Sequence, residues 1–311
     1  MRMKHCFIML DYTSLAAVAA VVREGSFERA AEHLGVTPSA VSQRVRGLEE
    51  RLGVILVVRG QPCTATGQGR ALCAHHDRVQ LLEADLSPVL SQATTTARPP
   101  LRIAVNADSL ATWFAQAAAA FSKASGHLLE LALEDEGRTA DRLRSGEVLA
   151  VVTSDPTPVQ GCKTVALGAL CYAACASPAF VAEHFADGIH EASLARAPFM
   201  RFDPHDRLQA RWALEACGTT LSGPSHRLPS THAFLDFALA GAGWGMHPVT
   251  LAAPHLASGA LVELAPCRRI DVSLYWTVTR LHASALRSLT DAVRRVAAAT
   301  LVPARNGQAL G

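Results

Sequence analysis

Ser39, Ser42, Gln43 and Arg46 recur at three-to-four spacing, which on a helix gathers them along one side. Short hydroxyls, an amide and a guanidinium are the groups that hydrogen-bond base edges and phosphates in a DNA major groove. The other side of the same segment carries Val41, Val45, Leu48 and Leu52, spaced four, three and four, an apolar stripe for a core. Arg44, Arg59 and the hydroxyls of Ser26 and Thr37 complete the set expected to face DNA. A second constellation is acidic. Glu134 and Glu136 stand two apart at the end of a strand-like run, so they project to one face while Asp135 points away. Such a pair suits an ammonium or a guanidinium, or is an acidic surface turn before Gly137.

Other chemistry is not supported. The eight cysteines are spread without a C-x-x-C pair, and the thirteen histidines, His75-His76 included, do not converge, so neither zinc nor a disulfide framework is expected. Gly241-x-Gly243-x-Gly245 follows a helix and leads into an apolar run, the reverse of the strand-then-helix order of a dinucleotide loop. It reads as a helix stop and tight turn. No G-x-S-x-G, H-E-x-x-H or P-loop pattern occurs. No catalytic residue, metal or cofactor is therefore assigned, and the chain is not expected to be an enzyme.

Elements must hold these groups in place. A helix is predicted over 12–24, where Leu15, Val18, Ala19 and Val22 recur before Gly25. Ser26 caps a short second helix, 27–34, and Thr37-Pro38 opens a third that runs to Gly53. Two short helices joined through a glycine-containing turn form a helix-turn-helix. A wing-like connection follows Arg59-Gly60. Thr66 then caps a long helix with a heptad-like seam of Leu72, His76, Val79, Leu82, Leu86 and Val89 or Leu90. That seam suits pairing with a second copy, which would fix the separation of two recognition helices. Pro88 should end or kink this helix, and 91–100 reads as a linker. From Leu101 strands alternate with helices, predicting an α/β domain with a largely parallel sheet. Its strands are expected at 101–105, 128–133, 148–152 and 272–279, with helices at 109–123, 140–145 and 283–299.

The 311 residues suit two or three domains of about 100–150 residues. A net charge of +2 neither supports nor excludes DNA as a partner. The opening stretch 1–10 is too short for a secretory leader and reads as an extension or alternative start. No run of about 20 apolar residues occurs, so no membrane association and a cytoplasmic location are expected.

The residues Gly25-Ser26-Phe27-Glu28-Arg29-Ala30-Ala31, Thr37-Pro38-Ser39-Ala40-Val41-Ser42-Gln43-Arg44-Val45 and Leu48-Glu49 closely resemble the LysR-type transcriptional regulators. The segments 105–114, 133–136 and 241–245, with Tyr275-Trp276, resemble the ArgP/LysG (IciA) branch. The resemblance implies a winged helix-turn-helix at 10–67, a linker helix and hinge at 68–98, and an effector domain at 99–311. That domain would have two periplasmic-binding-protein-like lobes, about 99–163 with 268–302, and about 164–267, enclosing lysine or arginine. It also implies a dimer or tetramer on double-stranded operator DNA, activation of a basic amino-acid exporter gene, and RNA polymerase as a further partner open to it. An architectural DNA-binding protein with a ligand-free dimerisation domain is the alternative.

Within that frame, a helix opening at Ser109 directly after a strand offers free amide N–H groups and a hydroxyl to a carboxylate. Asp108 beside it suits an α-ammonium, and the capped start at Ser230-Thr231 serves the other lobe. Glu134 and Glu136 would then meet the cationic side chain. Thr112, Thr153 and Asp155 are further expected cleft residues, as are Trp113 and Trp244, for which a place in the core is as common for an aromatic at such a position.

Overall fold

The computed structural model describes residues 10–86, 100–134, 139–281 and 283–303. Three helices open the chain: α1 (Tyr12–Glu24), α2 (Phe27–Leu34) and α3 (Pro38–Leu52). Their starts follow local chemistry. The Asp11 carboxylate accepts from the amides of Thr13 and Ser14, the Ser26 hydroxyl from Arg29 N–H at 3.1 Å, and the Thr37 hydroxyl from Ala40 N–H at 3.2 Å. All three helices stop at a left-handed glycine, Gly25, Gly35 or Gly53, where a side chain would be strained. Val41, Val45 and Leu48 pack against Leu15, Val18 and Val21 of α1, so the apolar stripe of α3 is buried as expected. The wing is an antiparallel pair, β1 (Val57–Val58) and β2 (Thr64–Ala65).

Helix α4 (Gly67–Ala84) leaves the wing with Thr66 as its cap, accepting from Gly69 N–H at 3.0 Å. A Cβ on Gly69 would lie 2.0 Å from the Leu56 carbonyl oxygen. Backbone against backbone at that point sets how the helix departs. The expected seam is divided: His76 is buried and Leu72 half-buried, while Leu82 and Leu86 are exposed. The Val89 and Leu90 positions and Pro88 lie outside the described residues.

The second part is built on one seven-stranded sheet of β3 (Leu101–Val105), β4 (Leu129–Leu133), β5 (Ala150–Thr153), β6 (Cys162–Ala176), β9 (Gly245–Pro248), β10 (Val262–Glu263) and β11 (Ile270–Thr279). Strands β7 (Phe199–Arg201) and β8 (Ser225–Arg227) form a small parallel pair of their own. The helices are α5 (Ala107–Ser109), which continues through a π-helical turn (Leu110–Phe114) into α6 (Ala115–Ser125), then α7 (Thr139–Ser145), α8 (Pro178–His184), α9 (Glu191–Leu194), α10 (Leu208–Cys217), α11 (Thr231–Leu239), α12 (Val249–Ala257) and α13 (Ser284–Thr300).

A largely parallel sheet was the expectation, and the structure corrects it. Only β3 pairs in parallel, with β4 and β5; the β5–β11, β6–β11, β6–β9 and β6–β10 pairings are antiparallel. The reason is that β6 and β11 run the length of the domain as an antiparallel ribbon. One end joins the β4-β3-β5 half, the other joins β9 and β10. The ribbon changes register between Leu274 and Tyr275, opposite Gly168 at φ 130°, a bulge that turns the sheet and divides it into two lobes. Gly241 stops the run after α11 at φ 74°, and Gly245 begins β9, in keeping with the turn read from the sequence.

Candidate DNA-reading face and effector cleft

Helix α3 presents Ser39, Gln43 and Arg46 to solvent, with Ser42 and Arg44 half-exposed on the same helix. Arg46 Nε donates to Glu50 Oε1 at 2.9 Å, but both side chains remain largely exposed, so the guanidinium is available for exchange to a phosphate or base. Thr37 and Ser26 use their hydroxyls as helix caps, which places helix N-termini rather than free hydroxyls at those corners. Arg59, beyond β1, lies over the Phe27 ring at 5.3 Å and joins wing to α2. One residue that sequence reasoning passed over organises this face. Glu49 Oε1 accepts from the amides of Leu56 at 2.7 Å and Val57 at 3.1 Å, bolting the wing to the recognition helix. Its signal was the Leu48-Glu49 pair, quoted for the family and not for this bond.

The second site lies where β3, β4 and β5 end. Parallel strands expose their carboxyl ends at a crevice that commonly holds ligands. The helix after β3 opens at Ala107, with Asn106 as N-cap, and not at Ser109 as expected; Ser109 is fully buried in its first turn. The Asn106 Oδ1 and Ser109 Oγ atoms are both buried without a hydrogen-bond partner in the structure. Two such atoms, three residues apart at one helix start, would each be costly to leave unsatisfied, which points to a polar guest. The π-helical turn follows at once, a distortion often found at functional sites, and Thr112 Oγ1 donates to the Asp108 carbonyl at 2.6 Å.

Asp108 reaches across the cleft. Its Oδ1 accepts from Thr231 Oγ1 at 2.6 Å, at the start of α11, and its Oδ2 accepts from Tyr172 Oη at 2.6 Å, on β6. Burial raises the Asp108 pKa, the two hydroxyls partly offset this, and the Asp206 carboxylate raises it further. Burial also pushes the Tyr172 phenol well above its ordinary value, helped by Asp108. Asp206 is held by the amides of Phe202 at 2.8 Å and Leu208 at 3.0 Å. Asp206, in the other lobe, thus adds negative potential at Asp108, and among the described residues no cation pairs with Asp108. Tyr172 and Asp206 were not picked out from the sequence, since neither belongs to a local pattern.

Glu134 sits at the end of β4, its amide bonded to the Val105 carbonyl at 2.9 Å. Its Oε1 accepts from Thr139 Oγ1 at 2.7 Å and Thr153 Oγ1 at 3.0 Å. Glu134 and Thr153 are thus brought together, with Thr139 as an unanticipated third. Asp155 turns to its own loop, accepting from Thr157 N–H at 2.8 Å, and is exposed. Glu136 lies outside the described residues. Trp113 and Trp244 are core residues, 1% and 0% exposed: Trp113 packs edge-on to Phe114, and Trp244 lies tilted against Trp212 with ring centroids 5.2 Å apart. Both indole Nε1 atoms are buried without a hydrogen-bond partner, as the Ser109 Oγ is.

The model of the bacterial regulatory helix-turn-helix protein, lysR family, matches residues 12–70, and that of the LysR substrate binding domain matches 95–298. The chain is 43% identical over 296 residues to the HTH-type transcriptional regulator ArgP of Pseudomonas fluorescens, covering 95% of this chain and 99% of the relative. It is similar to the crystal structure of ArgP from Mycobacterium tuberculosis, with TM-score 0.78 at 40% identity over 95% of this chain and 100% of that one. It is also similar to full-length LysG from Corynebacterium glutamicum with bound effector Arg, with TM-score 0.68 at 38% identity over 94% and 100%.

Proposed function

Because the chain belongs to the lysR family, as a DNA-binding transcriptional regulator of the ArgP/LysG kind, we propose that it senses L-lysine or L-arginine in the cleft between its lobes. The observation that carries this reading is Asp108. It is a carboxylate held between two lobes by the hydroxyls of Thr231 and Tyr172, with the Asp206 carboxylate adding negative potential. An α-ammonium entering there would add an ion pair to the hydroxyl contacts and offset the negative potential from Asp206. The α-carboxylate then accepts from the first-turn amides of α5 and from the unpartnered Ser109 hydroxyl, while Asn106 Oδ1, an acceptor, is left to the ammonium. Glu134, steadied by Thr139 and Thr153, takes the cationic end with Glu136. Thr231 and Tyr172 close the site from the other lobe.

In the full reading the protein binds operator DNA through Ser39, Ser42, Gln43, Arg44, Arg46 and Arg59 as a dimer or tetramer in the cytoplasm. Ligand binding shifts the lobes and hence the DNA-binding domains, activating a basic amino-acid exporter gene through contact with RNA polymerase. Among the described residues no helix is long and apolar enough to cross a membrane. Titration calorimetry of the whole protein with L-lysine, L-arginine and L-leucine tests the effector. Heat with either cationic amino acid and none with leucine is expected; no heat with lysine or arginine removes the assignment.

A further inference from the structure

Between the cleft and the DNA-reading face runs a physical connection that neither site explains. Helix α13 opens at Ser284, and its N-cap residue, Ala283, supplies no side-chain cap. The cap comes instead from α4, 199 residues away: Ser284 N–H donates to Asp85 Oδ2 at 2.8 Å and Ser284 Oγ donates to Asp85 Oδ1. Burial acts to raise the Asp85 carboxyl, but the Ser284 bonds outweigh it and hold the pKa below its ordinary value.

The other end of α13 lands on the bend of the ribbon. Val302 and Ala169 exchange two backbone hydrogen bonds, of 2.8 and 3.0 Å. A Cβ on the neighbouring Gly168 would lie 2.8 Å from the Val302 carbonyl oxygen and 3.0 Å from Leu301 Cβ. Along its length α13 is tied to the same ribbon by Trp276 Nε1 donating to Thr290 Oγ1 at 3.1 Å. A helix of seventeen residues thus joins the bend between the lobes to the end of the linker helix.

A second tie lies two turns earlier on α4. Asp77 pairs with Arg23 of α1 at 3.2 Å and with Arg102 of β3 at 3.5 Å, and Arg102 continues to Glu130 of β4 at 3.0 Å. Leu81 of α4 is buried in the effector-domain core, and Arg78 Nη2 donates to the Ser145 carbonyl at 3.3 Å. The linker helix is seated on its own effector domain, and its first turns are joined to the DNA-binding domain.

We propose that α13 is the strut that carries lobe movement to the linker helix, with the Asp85 cap as its detachable end. A change of angle at Gly168 moves Val302, the helix moves as a body, and its N-terminus either keeps Asp85 or leaves it. A helix start that loses its side-chain cap is left with unsatisfied amides, so movement at the bend is read on α4 as the Asp85 cap made or broken. The strut itself rests only on the contacts above; that an amino acid sets the bend angle rests on the reading of the cleft.

Two measurements separate those premises. The first compares full-length wild type with Asp85→Ala and Ser284→Ala for affinity to a duplex selected from a random-sequence library by the wild type, with and without saturating L-arginine. Arginine is expected to change wild-type affinity by about 5–150-fold and that of either variant by no more than about twofold, with arginine affinity and folding kept. An undiminished arginine effect in both variants overturns the proposal. The second needs no ligand: hydrogen exchange is followed in Gly168→Ala and in Val302→Pro, which deletes one bridge hydrogen bond. Faster exchange at Ser284–Arg287 and Val79–Ala84 is expected from either variant. Change confined to β6, β11 and residues beyond 300 in both overturns the strut, even if the cleft binds arginine as proposed.

Discussion

Replacing Asp108 by asparagine removes the cleft charge while keeping the shape and one acceptor. In the ligand-free protein Asp108 accepts from Thr231 and Tyr172, and its raised pKa means the folded state holds the charged form less well than the unfolded chain does. That penalty is absent below the unfolded carboxyl value of about 3.9 and grows as pH rises through the raised folded value. Asp108→Asn without ligand is therefore expected to melt at or above wild type at pH 7, with the gap closing on acidification. Ligand binding should move the other way. A hydrogen bond to a charged group contributes about 1.5–3 kcal/mol, so losing the ammonium contact weakens binding roughly 10- to 150-fold at about 1.4 kcal/mol per decade. Calorimetry with L-arginine gives the Kd, and repeating it in buffers of different ionisation enthalpy gives the protons released. Wild type should release more protons as pH falls toward the raised value, and the variant should not. A variant Kd within twofold of wild type, or a lower melting temperature without ligand, refutes the reasoning.

Arg46→Ala should weaken binding to the selected duplex by about 1–3 kcal/mol if the lost contact is to a base, seen in gel-shift titrations, with arginine affinity unchanged; unaltered DNA binding would remove Arg46 from the reading face. His247, 1% exposed on β9, is held by burial to a pKa of about 4. It stays neutral when folded, so stability falls as pH drops from about 6.5 to about 4, by about 3 kcal/mol for that shift; His247→Leu should flatten this part of the urea-midpoint profile relative to wild type. Gly69→Ala forces a Cβ against the Leu56 carbonyl at 2.0 Å and should lower the melting temperature of the DNA-binding domain by several degrees, as overpacking costs about 1–3 kcal/mol; an unchanged melt would show that α4 can pivot there freely.

The DNA-binding part was the more legible. Its caps, glycine stops and two-faced third helix are local signals, set by residues three or four apart, and the structure realises them at Ser26, Thr37 and Gly53. In the effector part, element positions were readable but not their pairing. Nothing in the alternation of strands and helices reveals that β6 and β11 form one antiparallel ribbon. The same holds at the cleft: Asp108 could be picked at a helix start after a strand and Glu134 at a strand end, whereas Tyr172 sits mid-strand and Asp206 in a loop, and neither belongs to a local pattern. Trp113 and Trp244 show the limit of such reading, since an indole beside a polar motif reads alike whether it lines a cleft or fills the core beneath it.

The Glu49 bolt has a consequence for how such a regulator could change its target. One carboxylate oxygen holding two wing amides fixes the wing to α3 through backbone atoms, whatever side chains the outer surface of α3 carries. Ser39, Gln43 and Arg46 contribute little to that frame. New DNA addresses can therefore be written on the outer surface without rebuilding the module, and a regulator recoded for a different promoter should keep its stability as long as Glu49 is left alone.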